Sequence, residues 1–445
     1  MNIRITRPSG CRWVNSVTVL ELLRDHGPLS RADIARHLGL TPASVSRIID
    51  ELLAKQLVVE CHHTSEHERS VGRPPVWIMF NAQASYVVSV DLGGTLARAA
   101  LLDLDGNIVL RSSVRSKPGL QGQQVLMKLI EGIISSAESS GVKPGIIVVG
   151  VPGVVVPEKG IVVSAPSLDW HDFPLRHLLE EHFQLPVIIE NDVNLHALGE
   201  HWRGAGRGAS SLVCVFIGTG IGAGIILNGE LYRGATYSAG EIGYSLPDTE
   251  YLGQTYAEFG CLEHLASGFG IAQRGKAAIL EGNGEGILKF AGSMDALEAV
   301  HVLSAYQNGD DTARRIVESA QRCLALALIN IACVLNPEII VLGGGLVESG
   351  VLNLSQFRDW LAKAVPFVPK LVLSALGSDA GLLGAVALAL RSPVFLASLL
   401  GRRETGMEQG QHPVVHHGWA STKGGENGVS VEVKQTDIQI KTTRI

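Results

Sequence analysis

Two stretches of this chain repeat one pattern, and that repeat constrains the fold more than any other feature. Tyr86–Val90 reads as a strand, Asp91-Leu92-Gly93-Gly94-Thr95 as a turn and Ala97–Leu104 as a second strand. Asp105-Gly106-Asn107 then turns into Ile108–Arg111. About 125 residues later an apolar run from Val213 enters a turn built on Gly218, Gly220, Gly222 and Gly224. It leaves in a second apolar run and turns again at Asn228-Gly229. A duplicated meander with a glycine-rich first turn predicts two similar lobes facing across a cleft. Glycine between strands lets backbone N–H groups approach a phosphate with no Cβ in the way.

The segments after each unit support an α/β class. Helical segments are expected near 121–140 and 311–335. Ile146–Val151, Val187–Ile189 and Ile339–Val341 are short, continuous apolar runs, as parallel strands covered on both faces should be. Gly343-Gly344-Gly345 follows the last of them, and Ala380-Gly381-Leu382-Leu383-Gly384 opens a small-residue helix. Glycine at a strand end beside a helix admits close ligand approach. Acidic residues flank the second turn, at Glu190-Asn191-Asp192 and at Gly240-Glu241-Ile242-Gly243-Tyr244. The expectation is a sugar pocket beside a nucleotide-type pocket in one cleft.

Residues 15–80 read as a winged helix-turn-helix. A helix over Asn15–Asp25 is stopped by Gly27-Pro28. Ser30 caps a short second helix carrying Ile34, Ala35 and Leu38, and Gly39 makes the turn. Thr41 caps a third, with Pro42 at the first position, where its missing N–H costs nothing. Val45, Ile48, Ile49, Leu52 and Leu53 share one face of that helix. Ala43, Ser46, Arg47 and Asp50 share the other, with Ser44 at its edge. Thr41, Ser44, Ser46 and Arg47 therefore form a candidate DNA-reading surface, short enough to seat the backbone close to a major groove. A helical module that binds protein is the alternative. Wing strands are expected at 57–60 and 76–80. Between them Gly72-Arg73-Pro74-Pro75 either presents Arg73 to a minor groove or serves as a linker.

Composition narrows the classes. Of 445 residues 46% are hydrophobic and 18% charged, which excludes a disordered chain and leaves room for two or three domains. Residues 1–80 hold 10 Lys and Arg against 8 Asp and Glu, on a body that is acidic overall. The six cysteines include no CxxC pair, which predicts free thiols in a reducing cytoplasm. The chain opens on no apolar signal segment, and the apolar stretches at 323–335 and 371–400 read as buried elements, so no membrane partner is expected. The expected domains are 1–81, 82–395 and a polar tail over 396–445. Disorder is expected over much of 403–428, and partial alternation over Val429–Ile440 is compatible with a late strand.

Residues 85–390 resemble the ROK family of repressors and sugar kinases, with their two-lobed actin/hexokinase-like ATPase fold. Glu190-Asn191-Asp192, the Gly218–Gly224 turn, Ala239-Gly240-Glu241-Ile242-Gly243 and Gly260-Cys261-Leu262-Glu263 carry the resemblance. It implies that Asn191, Asp192, Glu241 and Glu263 hold sugar hydroxyls, chemistry that suits a carboxylate acceptor and a two-way amide. It also makes Asp192 the catalytic base if the protein is a kinase. Asp91, Gly93, Gly94, Thr95, Gly218, Thr219, Gly220 and Gly344 fall at nucleotide-facing turns. A surface or capping carboxylate is the plain alternative for each acidic residue taken singly.

Three departures alter what the resemblance implies. The family's zinc site of one His and three Cys is reduced here to Cys261. Tyr244 stands at the His position, His264 is not at a family position, and tetrahedral zinc needs about four ligands, so no metal is expected. Tyr244 becomes a candidate sugar contact instead. Ser167 replaces a typical Asn and gives a shorter contact. Leu96 follows Thr95 where kinases often carry Lys, which weighs against ATP. The fused winged helix then implies a repressor. It would act as a homodimer or homotetramer on pseudo-palindromic operator DNA, released by a sugar effector. An ATP-dependent sugar kinase is the alternative, and a ligand-binding scaffold without DNA the third reading.

Overall fold

The computed structural model describes residues 8–61, 76–256 and 259–401; Arg73, its wing tip and the expectations for 403–445 lie outside them. The N-terminal unit opens with α1 (Pro8–His26), which begins ahead of the expected Asn15. Proline fits the first turn of a helix, so Pro8 is a start signal that Gly10 behind it obscures. After β1 (Leu29–Ser30) come α2 (Arg31–Leu38) and α3 (Pro42–Ala54). The Ser30 and Thr41 hydroxyls accept from Asp33 N and Ser44 N, and Gly39 turns between the helices at φ +62°. The strands β2 (Val58–Cys61) and β3 (Trp77–Phe80) complete a sheet of order β1-β3-β2. Val19, Leu23, Ile34, Ile49, Leu52 and Ile78 fill its core.

The first lobe runs β4 (Tyr86–Leu92), β5 (Leu96–Asp103), β6 (Ile108–Arg115), α4 (Gly119–Ser139) and β7 (Pro144–Val151). A small antiparallel sheet of β8 (Val154–Val156), β9 (Ile161–Ala165) and β10 (Trp170–Phe173) comes next, then α5 (Leu175–Phe183), β11 (Val187–Asn191) and α6 (Asp192–Arg203). The second lobe runs β12 (Leu212–Ile217), β13 (Ile221–Leu227), β14 (Glu230–Leu231), α7 (Cys261–Ala266), α8 (Gly268–Leu280), α9 (Glu285–Ala291), α10 (Ala299–Gln307) and α11 (Asp311–Leu335). It ends in β15 (Ile339–Gly343), α12 (Gly345–Glu348), α13 (Leu354–Ala364) and β16 (Lys370–Leu373). The sheets have orders β11-β7-β4-β5-β6 and β14-β13-β12-β15-β16. Each is an antiparallel meander joined through its first strand to two parallel strands, one topology used twice. Although α11 is long and apolar enough to span a bilayer, its Val317, Leu324 and Leu328 lie in the lobe's core.

Two closing helices, α14 (Ala380–Ala389) and α15 (Pro393–Leu399), fix the lobes and the winged helix to each other. Helix α14 crosses α6 closely. A Cβ on Gly199 would lie 2.0 Å from Ala380 O, and one on Gly384 would lie 1.8 Å from Leu195 O. The small-residue pattern of this segment is what that crossing requires. From α15, Phe395 reaches Gly145 at the start of β7 and joins the core that also holds Leu195, Leu382 and Val386, while Leu396 and Leu400 are core residues of the winged helix. Lys55 Nζ donates to the Leu400 carbonyl, a cation at a helix C-terminus. The boundary expected at residue 395 thus falls inside a helix, because Leu396 and Leu400 find their apolar surroundings in the N-terminal unit.

Candidate functional site

The cleft between the lobes is built where strands end in glycine. Strand β11 ends at Asn191, whose side-chain oxygen caps α6 by accepting from Asn194 N at 2.9 Å. Its amide nitrogen donates to Gly153 O at 2.9 Å. Asp192 opens α6 and accepts from Val193 N at 2.8 Å. Desolvation and the negative charge of Asp91 push its carboxyl up to about 6, against an opposing pull from His196. Desolvation, then Glu263, then Asp192 push Glu241 up to about 7. Glu263 is also raised by desolvation, although Ile221 N and Gly260 N each donate to it at 2.8 Å. Tyr244 is raised by desolvation, Glu241 and Glu263. Glu241 therefore lies within electrostatic reach of Asp192, Glu263 and Tyr244.

Glycines make room for that cluster. A Cβ on Gly220 would stand 2.4 Å from Glu263 Oε1, and one on Gly243 would stand 2.6 Å from Glu263 Cδ. Gly240 holds φ +94°, with its missing Cβ aimed 1.7 Å from Ala223 O. Only glycine fits there, which explains the Ala239–Gly243 motif physically.

The two glycine-rich turns meet. Thr95 Oγ1 and Thr219 Oγ1 are 3.2 Å apart, one hydroxyl from each lobe. Gly93 N donates to Leu96 O at 3.1 Å, and Ser167 lies against Gly94, 3.1 Å from where its Cβ would be. Gly218 N donates to Gly220 O at 3.0 Å, while the Gly218 and Thr219 carbonyls accept from Gly268 N and Phe269 N at the start of α8. Gly344, at φ +97°, packs on Ile217 O behind the same turn. Asp91 is buried and faces Arg98, whose Nη1 lies 3.3 Å from its Oδ2.

The region where the family carries zinc is built differently. The Tyr256 hydroxyl donates to Gln254 Oε1 at 3.2 Å and sits beside the buried Cys261 thiol, which pushes the phenol up to about 12. Tyr244 stands at the rim, half exposed. Among the described residues no three His, Cys, Asp or Glu side chains are arranged to hold a metal ion. One thiol beside a phenol is not a tetrahedral donor set, so these described residues do not fit zinc.

On the winged helix, Thr41 and Arg47 are exposed at the N-terminal half of α3, and Ser44 and Ser46 are partly covered. The Thr41 and Ser44 hydroxyls are 2.8 Å apart. Arg31 locks α2 onto α3 by donating to Ser46 O at 3.2 Å and to Asp50 Oδ1 at 2.8 Å.

Sequence reasoning missed several residues of the cleft. Arg98 pairs with Asp91 because the two stand opposite each other in the β4–β5 register, a relation that counting back from the turn would have found. Buried His196, one helical turn after Asp192, bonds Asp192 O through Nδ1 at 2.8 Å and lies against Phe216. Buried Glu190, a motif residue with no role expected of it, forms an ion pair with the partly buried Arg233, Oε2 to Nη2 at 2.7 Å.

Known proteins share both parts of this architecture. The ROK family profile matches residues 87–392, and the MarR family profile matches residues 14–70. The xylose repressor of Caldicellulosiruptor bescii is 29% identical over 386 residues, covering 85% of this chain and 96% of that protein. The crystal structure of a ROK family transcriptional regulator, homologue of the E. coli MLC protein, superposes with a TM-score of 0.73. It is 25% identical and covers 88% of this chain and 99% of its own. A ROK family glucokinase from Streptomyces griseus, in complex with glucose and AMPPNP, gives a TM-score of 0.60 at 30% identity, covering 69% of this chain and 100% of its own.

Proposed function

The chain belongs to the ROK family, and from that premise we propose that it is a sugar-responsive transcriptional repressor. In this reading the winged helix binds operator DNA and a carbohydrate in the cleft modulates that binding. The observation that carries it is α15, whose Leu396 and Leu400 lie in the winged-helix core while Phe395 belongs to the core that residues of both lobes share. A change in the cleft thereby has a packed route to the DNA-binding unit. The relative named a xylose repressor and the solved ROK family transcriptional regulator, both of which align over most of this chain, support the same reading.

Asn191, Asp192, Glu241, Glu263 and Tyr244 are the proposed carbohydrate contacts, with Ser167 at the side nearer the first turn. Carboxylates accept hydroxyl protons and the Asn191 amide retains acceptor capacity. Thr41, Ser44, Ser46 and Arg47 are the proposed DNA contacts. The protein acts in the cytoplasm as a dimer or a higher homo-oligomer, since a pseudo-palindromic operator requires two winged helices about one helical turn or its multiple apart. To move the protein from mostly bound to mostly free, the sugar must favour one state by on the order of a few kcal/mol.

The decisive measurement is operator affinity with and without sugar, read beside a thermal-shift screen of sugars and sugar phosphates. A ligand that binds the native state raises its midpoint. Sugars that shift the midpoint without changing DNA affinity would overturn the repressor reading. Arg47→Ala should weaken DNA binding at fixed salt; unchanged affinity would remove the DNA assignment from α3.

The sugar-kinase reading is favoured by one observation, the Asp192 carboxyl raised to about 6 beside two glycine-rich turns, a range suited to a general base. Against it, Arg98 engages Asp91, and Thr95 meets Thr219 where the two turns converge. ADP release over a sugar panel that vanishes in Asp192→Asn would establish it.

A further inference from the structure

We propose that Arg233 is a positioning residue of the ligand cleft. Through its ion pair with Glu190 it sets how the loop carrying Glu241 meets the strand end carrying Asn191 and Asp192. The inference rests on the reading of this cleft as a carbohydrate site.

Glu190 lies near the end of β11 and is 1% exposed. Its Oε1 accepts from Asn191 N and Asn194 Nδ2, both at 2.9 Å. Its Oε2 accepts from Arg233 Nε at 2.8 Å and Nη2 at 2.7 Å. One carboxylate thus holds the backbone of Asn191 and the first turn of α6 on one side, and a guanidinium on the other. These donors leave it little freedom to move.

Arg233 reaches it from the second lobe. Residues 232–240 form a loop with a stitched base: Tyr232 N donates to Ile225 O at 2.8 Å, Ala239 N to Arg233 O at 3.1 Å and Ala223 N to Gly240 O at 2.8 Å. Glu241 is the next residue, so its backbone is placed by the same loop. At the tip, Tyr237 adopts φ +61°, a conformation bulky side chains seldom take, and its hydroxyl lies beside the Glu158 carboxylate of the first lobe. The loop therefore grips the opposite lobe in two places, and the grip on a buried group is that of Arg233 on Glu190. A planar guanidinium gives two nitrogens to one oxygen in fixed geometry, which an ammonium does not reproduce.

The test uses the full-length protein, titrated with D-xylose, D-glucose, N-acetyl-D-glucosamine and their phosphates, and melted without sugar. Arg233→Gln and Glu190→Gln should each lower affinity for the sugar that wild type binds by at least about tenfold. Arg233→Gln leaves the buried Glu190 carboxylate without its cation and Glu190→Gln leaves the partly buried guanidinium without its anion, so each also melts earlier. Arg233→Lys keeps the charge and should still bind at least about threefold more weakly. The double variant Glu190→Gln/Arg233→Gln removes both charges, so its melting temperature should recover while its sugar affinity stays at least about tenfold down. That split is one a merely structural pair would not give. If the single variants fail to fold, Arg233→Lys and the double variant decide. Wild-type affinity in any folded variant, or recovery of affinity together with stability in the double, overturns the inference alone. A wild-type protein that binds none of these sugars overturns the reading of the cleft, and this inference with it.

Discussion

The hydroxyls of Thr95 and Thr219 lie 3.2 Å apart, each from the glycine-rich turn of its own lobe. They occupy comparable places in the two copies of a duplicated meander, so the hydrogen bond joins the repeat to itself at the mouth of the cleft. Both residues are exposed, which limits what the bond contributes. Its effect should appear in the closure of the lobes more than in global stability. Thr95→Val and Thr219→Val should each weaken sugar binding a few-fold, and a double-mutant cycle should give a coupling of about 0.5–1 kcal/mol. Strictly additive effects on sugar affinity would mean that the two turns do not act together.

Two carboxyls of the cleft titrate near neutrality. Glu241 is pushed up to about 7 and Asp192 up to about 6, in both cases chiefly by desolvation. The folded protein therefore retains protons that the unfolded chain has released above about pH 4. Their contribution to stability is fully present below the ordinary carboxyl range and is lost as pH rises through 6 and 7. For Glu241 this is of the order of 2–3 kcal/mol. The unliganded protein should melt at lower temperature at pH 8 than at pH 5.5, and Glu241→Gln should flatten that slope. Sugar hydroxyls that donate to these carboxylates favour the ionised form, so sugar affinity should rise over the same interval. An affinity that falls with pH would show that the carboxyls donate instead.

Helix α15 belongs to two cores at once, so its residues should separate by phenotype. Leu396 is nearly buried in the winged helix. Leu396→Ala should cost about 2–4 kcal/mol locally and lower operator affinity while sugar affinity stays near wild type. Phe395→Ala, in the core between the lobes, should weaken both. Parallel calorimetric titrations with sugar and with operator DNA would read this. A Leu396→Ala protein that loses sugar and DNA binding equally would mean that the two units do not respond separately.

The fold was legible because its signals are local. Glycine turns between apolar runs, the Asn228-Gly229 hairpin and caps at Ser30 and Thr41 are backbone requirements written in adjacent residues. The cleft's acidic cluster could be placed through the motif resemblance because Glu241 and Glu263 sit among glycines that only a close approach explains. The remainder depended on partners far apart in sequence. Glu190 was visible, but its ion pair is with a residue 43 positions away in a loop of the other lobe. Arg98 was visible as a strand residue, and its role comes only from register. Helix α15 carries few turns and precedes a polar tail, so its apolar residues suggested the end of the body; their second core comes from the far end of the chain.

The crossing of α6 and α14 tests whether the lobes pivot on a fixed pair of helices. Gly384 approaches the Leu195 carbonyl so closely that any Cβ would collide with backbone, and backbone cannot yield as a flexible side chain would. Gly384→Ala should therefore force the helices apart and destabilise the protein by about 3 kcal/mol or more. Helix propensity alone would predict the opposite sign, since alanine is favoured over glycine inside a helix by roughly 1 kcal/mol. Gly132 in α4 provides the control: it has open space where a Cβ would go, so Gly132→Ala should be neutral or stabilising by up to about 1 kcal/mol. Thermal melts of the two variants side by side separate packing from propensity. A Gly384→Ala protein as stable as Gly132→Ala would place the helices further apart than they are here and remove the close crossing as the joint between the lobes.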